Sequence, residues 1–226
     1  MILENLRHML SQEWLLDGTS LDNKFCELAD FLLKKIAIQK GQHRYYMSDI
    51  EFYLFHKEHR DIITYPRNSK AGEWFFHASG VDISFESHVS MGSKEKAPYR
   101  LMPKLTEESV FGGILIRGIE PAWVEDTAIC GYKDLHGPMK VCNELFDKFD
   151  AFSTPDNFPL LVEEEHYDGT IPPPIARYNL LPKGKTADEK VRSILSNNYC
   201  ATDYSEQDLI ESFTSYKDST YRYKLI

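Results

Sequence analysis

With 226 residues, 42% of them hydrophobic, and 13 Tyr, 13 Phe and 3 Trp, the chain has the apolar and aromatic material for a substantial core, which excludes a disordered polypeptide. Its 26 Lys+Arg against 35 Asp+Glu leave a net charge of -9, which works against loose, charge-driven attachment to nucleic acid. No run approaches the roughly 18 apolar residues of a membrane span, and MILENLRHML puts an acid where a secretion signal wants a basic start, so a cytoplasmic protein with no membrane partner is expected.

In chain order, residues 1–40 read as helical. Within LDNKFCELADFLLKKIAIQKG the apolar positions Phe25, Leu28, Leu32 and Ile36 recur every three to four residues, with Thr19, Ser20 and Asp22 as capping candidates and Gly41 as a stop. From Tyr45 to Ile119 the pattern changes to β-branched and aromatic runs, YYMSDIEFYLF, EWFFHAS, VDISFES and FGGILIRGI, separated by Pro, Asn and Gly. GPMKVCNELFDKF predicts a helix with Val141, Leu145 and Phe149 on one stripe, and TADEKVRSILSNN a second whose Thr186 and Glu189 have capping-box spacing. Between them AFSTPDNFPLLVEEEHYDGTIPPPIARY, with Pro172 to Pro174 and the acids Glu163 to Glu165, reads as a surface excursion. Ser205 to Tyr216 predicts a last helix and YRYKLI a closing strand. The class is α+β, a single domain over 1–226, with N-terminal helices (1–40), a sheet core (45–119), and helices plus a closing strand (137–226). Cys26, Cys130, Cys142 and Cys200 show no CxxC spacing and predict reduced, mostly buried thiols rather than a zinc site or disulfides.

The chemistry concentrates in DIEFYLFHKEHRD, residues 49–61. With period two, Ile50, Phe52 and Leu54 share one strand face, while Asp49, Glu51, Tyr53 and Phe55 share the other. A carboxylate beside aromatic rings loses hydration, its proton affinity tends to rise, and it becomes useful as a general base; Glu51 is the candidate, against the plainer reading of a solvated residue on an open face. Arg117, inside GGILIRGIEP, is a charge in an apolar strand that requires a partner, with Glu51, Glu86 and Glu120 as the natural ones. His56, Glu58, His59 and Asp61 form an HxxH flanked by acids, but spacing specifies no third ligand, so no metal is expected. GxGxxG, GxxxxGK[ST], GxSxG and HExxH are all missing from the sequence.

The order of the blocks EFYLF (51–55), YPRN (65–68), GEWFF (72–76), GGILIRGIEP (112–121) and GPMKVCNEL (137–145) resembles the alkyladenine, or 3-methyladenine, DNA glycosylases. Those enzymes carry a glutamate-x-tyrosine strand, a [ST]xRN segment, a glycine-led aromatic strand, a leucine-arginine-alanine-x-glutamate-proline strand and a helix opening with GPxKLC. The resemblance runs from about Ala29 to Leu145, with a weaker echo in PPPIARY. It implies a curved, mainly antiparallel β-sheet with flanking helices, like the C-terminal domain of formyltransferases. It also implies a monofunctional DNA repair hydrolase that flips a damaged purine out of duplex DNA, stacks it on aromatic or imidazole rings and cleaves the glycosidic bond with water, using no cofactor. By position, Glu51 would activate the water and Arg117 help hold it, while Tyr53 would stack, His56 or His59 would supply the stacking imidazole, and Phe76, His77 and Glu86 would line the pocket. Arg67, Asn68, Ser79 and Gly80 would meet the DNA.

Two positions depart from that pattern: Ser79 precedes Gly80 where the family has a wedging tyrosine, and Glu86 stands where it has an asparagine. Three activities follow as expectations: excision of a damaged base, hydrolysis of free nucleosides or small glycosides by the same Glu51 and Arg117, and a non-catalytic binding protein on the same fold.

Overall fold

The computed structural model describes residues 1–95, 97–122, 134–146, 156–178 and 180–225. Three helices open the chain, α1 (Ile2–Met9), α2 (Gln12–Leu15) and α3 (Leu21–Lys35). Eight strands follow, β1 (Ile36–Lys40), β2 (His43–His56), β3 (His59–Arg60), β4 (Trp74–His77), β5 (Gly80–Ser84), β6 (Ser90–Lys94), β7 (Ala97–Leu105) and β8 (Phe111–Pro121). The rest comprises α4 (Pro138–Leu145), β9 (Leu160–Glu163), α5 (Ala187–Asn198), β10 (Ala201–Thr202), α6 (Glu206–Tyr216) and β11 (Arg222–Lys224). Among the described residues no helix is long and apolar enough to cross a membrane.

The protein is α+β, built on a curled antiparallel half-barrel. Strand β2 organises it. Along one edge β2 pairs with β8 from Tyr45 to Phe55; along the other it pairs in turn with β1, β11 and β3. The path then runs β4-β5-β8-β2-β1-β9. Ile50, Phe52 and Leu54 turn inward onto α3, where Phe52 stacks on Phe25 with centroids 4.6 Å apart. Fully burying each such side chain is worth about 1.5–3 kcal/mol.

Two register shifts interrupt the β2–β8 ladder. Met47 pairs with Ile119, Asp49 with Gly118 and Ile50 with Ile116, so Ser48 on β2 and Arg117 on β8 each stand as an extra residue. An extra residue re-aims the side chains around it. Met47 and Ile50, three apart, therefore both reach the core, while Asp49 and Glu51 share the outer face.

Three stretches differ from the expected pattern. The helix predicted to run through Ile36 ends at Lys35, because IAIQK becomes a buried strand paired on both edges by β2 and β9. Gly41 ends no helix; with φ of 57° it begins the two-residue turn that joins β1 to β2, a conformation that suits glycine. The excursion around the acidic triplet is in part the edge strand β9, and Glu164 beyond it accepts hydrogen bonds from Tyr46 Oη and Arg44 Nη1, both at 2.7 Å. β6, β7 and β10 form a separate small sheet.

The C-terminal predictions follow local capping chemistry: Thr186 and Glu189 close a capping box at α5, and Ser205 caps α6. α5 and α6 pack Val191, Leu209, Ile210 and Phe213 against Phe55 and Phe111 in a second apolar cluster. In α4, Val141 and Leu145 are buried; Phe149 lies outside the described residues, as does Cys130. Cys26, Cys142 and Cys200 are free thiols, Cys26 exposed and the others partly buried, so burial is shallower than expected.

Candidate functional site

Glu51 has no exposed surface, and among the described residues every group hydrogen-bonded to its carboxylate is a donor. Tyr53 Oη donates to Oε2 at 2.7 Å and Arg117 Nη1 to the same oxygen at 3.2 Å. The backbone N–H of Tyr178 donates to Oε1 at 2.9 Å, with Arg222 Nε 3.8 Å from that oxygen. This is a buried carboxylate supplied with its hydrogen bonds, the condition under which such a charge is tolerated, and not the solvated glutamate of an open sheet face. Of the three acids available to Arg117, Glu51 is the one it meets. The register shift explains how: Arg117 is the extra residue of β8, aimed at the face that carries Glu51.

Among the described residues, four arginine–carboxylate pairs cluster on and around this outer face. Besides Arg117–Glu51, Arg222 holds Asp49 through two hydrogen bonds of 2.9 and 2.6 Å. Arg177 bonds Asp61, with neither side chain exposed. Arg67 bonds Asp82 at 2.7 Å, and Gly113, opposite Tyr53, lacks a Cβ where one would come within 2.8 Å of the Arg67 guanidinium. The Arg177 guanidinium also lies 4.9 Å from the Tyr53 ring centroid. Burial, with the Glu51 charge beside it, pushes the Tyr53 phenol well above its usual range, so Tyr53 stays a neutral donor.

The remaining candidates separate. His56 has the strand parity of Phe52 and Leu54, and it pairs across β3 with His59, so both imidazoles belong to the face opposite Glu51 and Tyr53. They border a cleft of about 730 Å³, together with Asp22, Glu107, Tyr216 and Tyr221. Glu51 does not line it. His59 is held by the Leu54 carbonyl at 2.8 Å and Tyr221 Oη at 3.0 Å, and burial lowers its pKa. Burial, then the charges of His59 and Lys57, bring His56 down to about 4. No three acids, histidines or cysteines among the described residues stand together as a metal site; Asp61, flanking the HxxH, is taken by Arg177.

His77 bonds Asp82 at 2.9 Å, sharing it with Arg67, and accepts from the Ser79 N–H. Phe76 is exposed against Phe146, with centroids 4.6 Å apart. Arg67 is 4% exposed, with Phe75 3.7 Å from its guanidinium, so it does not stand at the surface where a phosphate would meet it. Asn68 clamps the backbone of Val89 from both its amide atoms. Gly80, with φ of 147°, sits where a Cβ would meet Pro138 at 2.8 Å, which keeps β5 close to α4. Glu86 lies elsewhere, accepting from the N–H of Gln12 at the start of α2 and lining a second cleft with Arg7 and Lys70.

Four participants were not singled out from the sequence: Asp49, Arg177, Tyr178 and Arg222. Asp49 shared the parity of Glu51, and Arg177–Tyr178 end the PPPIARY stretch, so both signals were present without a geometry to rank them. Ile175 exchanges two backbone hydrogen bonds with Arg222, which carries the proline-led strap over the Glu51 face. No protein-family model matches the chain, and no curated protein or solved structure matches it either.

Proposed function

We propose that the protein hydrolyses the N-glycosidic bond of a damaged purine, with Glu51 as the base that activates water, as the resemblance to the alkyladenine DNA glycosylases implies. The observation that carries the proposal is the contact of Glu51 with Arg117 at 3.2 Å, completed by Tyr53 Oη and the Tyr178 N–H. The carboxylate would take a proton from water as the bond to the sugar breaks, and its negative charge would stabilise the oxocarbenium-like sugar. Arg117 would orient the carboxylate and the water. Among the described residues Oε1 accepts one hydrogen bond, from the Tyr178 N–H, and so keeps a lone pair for the water.

The net charge of -9 and the burial of Arg67 favour a second reading of the same site, in which the substrate is a free nucleoside rather than duplex DNA. One set of assays separates the readings. Release of hypoxanthine or 3-methyladenine from a labelled duplex, lost in Glu51→Gln, supports the repair enzyme. Cleavage of inosine with no release from duplex supports the nucleoside hydrolase. Inactivity on both substrates, in a wild-type protein that folds as the Glu51→Gln variant does, rejects catalysis and leaves a binding protein.

A further inference from the structure

Two aromatic rings border Glu51, and they are in opposite situations. The Tyr53 ring is committed. Its hydroxyl is bonded to Glu51, and the Arg177 guanidinium over it is held by Asp61, by the Phe52 carbonyl at 3.4 Å and by the Tyr216 carbonyl at 2.7 Å. That cover cannot lift without breaking an ion pair that has no exposed side-chain surface.

Tyr178 touches the same carboxylate only through its backbone. Its side chain extends from the strap, and the residue is 62% exposed. The guanidinium carbons of Arg117 and Arg222 lie 5.1 and 6.0 Å from the ring centroid. Arg117 also keeps one buried donor, Nε, with no hydrogen-bond partner. An open ring beside an unused donor, at the edge of the carboxylate that is to do the chemistry, suits a flat heterocycle carrying acceptors.

Resting on the glycosidase reading of Glu51, we propose that Tyr178, not Tyr53, is the ring on which the purine of the substrate stacks. The residue then has two separable roles. Its N–H supports Glu51 whatever side chain it carries, and its ring receives the base. Stacking accepts any purine face, so Tyr178 supplies affinity and orientation while choice among bases falls to hydrogen-bonding groups around it.

The test reads binding apart from hydrolysis. Wild type, Tyr178→Ala and Tyr178→Phe are titrated calorimetrically with hypoxanthine as the free base, and the same proteins are assayed on hypoxanthine-containing duplex and on inosine. All three keep the backbone donor, and the exposed position spares the fold. Tyr178→Ala is expected to weaken hypoxanthine binding about tenfold or more, with Tyr178→Phe close to wild type. The KM for the hydrolysed substrate should rise in Tyr178→Ala while kcat holds, the signature of lost uniform binding. Equal affinity of wild type and Tyr178→Ala for hypoxanthine overturns the stacking role, as does a wild type that binds no hypoxanthine. Hydrolysis that persists in either case, and is lost in Glu51→Gln, leaves the role of Glu51 standing, so the two proposals fail independently.

Discussion

Two groups of ionisable residues lie along strand β2 and its partner β3, and they sit on opposite faces. Around Glu51 the protein is closed: a carboxylate with no exposed surface, two guanidinium groups, a tyrosine hydroxyl and a backbone N–H, with a strap laid across. Around His56 it opens: this half-buried imidazole and the buried His59 stand at the end of the core face, bordering a cleft of about 730 Å³ with acids around it. Five residues along a strand is about 17 Å, and because five is odd the side chains point apart. Nearness in sequence made these groups look like one site. Parity makes them two, with the Arg177–Asp61 pair standing between them: Arg177 covers the Tyr53 ring on one side and the Tyr221 ring that meets His59 on the other.

The largest effect is expected at Arg177, which holds the strap over Glu51. If the strap is tied down by the buried Arg177–Asp61 pair, Arg177→Met leaves Asp61 uncompensated and costs about 3–5 kcal/mol in urea unfolding. A loss under about 1 kcal/mol, the range of a surface pair, means that the pair does not tether the strap. Next is coupling. A double-mutant cycle between Glu51→Gln and Arg117→Gln should give an interaction of about 0.5–3 kcal/mol, whereas Glu51→Gln with His56→Gln should add within about 0.5 kcal/mol. Substantial coupling in the second cycle would merge the two regions again.

The smallest effect is the pH response of the open region. The fold holds His56 neutral down to about 4, against an ordinary value of 6.5 in the unfolded chain, chiefly through burial, with His59 and Lys57 adding like charge. Above 6.5 both states are neutral and nothing is lost. As pH falls from 6.5 towards 4, the unfolded chain takes up a proton that the fold refuses, so this contribution to stability is lost with falling pH. The slope is at most about 1.4 kcal/mol per pH unit, and less because the ring is partly exposed. His56→Gln should flatten the decline across that window in urea unfolding while leaving the behaviour at neutral pH unchanged. An identical decline in the variant would assign it to other groups.

Particular residues show what could be read in advance. The alternation of Ile50, Phe52 and Leu54 gave the core face of β2, and Glu51 with Tyr53 gave the other. The same rule, carried back through Ser48, places Met47 beside Asp49, when Met47 is in fact in the core. A register shift leaves no composition mark, because it is set by how two strands meet. Ile36 continued the helical stripe of α3 equally well as helix or strand, and pairing with β2 and β9 decided for the strand. His56 and His59 lay near Glu51 in the chain; the parity of Phe52 and Leu54 already carried His56 to the opposite face, and only the hairpin pairing reveals that His59 joins it there.

The sequence by itself determined the features whose causes are local. The stripe of Phe25, Leu28 and Leu32, the caps at Thr186 and Ser205, and the alternation around Glu51 depend on neighbours within a few residues, and such preferences act before the chain is compact. The tertiary structure alone decided the enclosure of Glu51. Arg117 is 66 residues from it in the chain and Tyr178 is 127, and they reach it through a register shift and a strap held to β11. The cost of burying a charge forces partners to be found. Which arginine and which backbone N–H provide them is settled only when distant strands come to lie side by side.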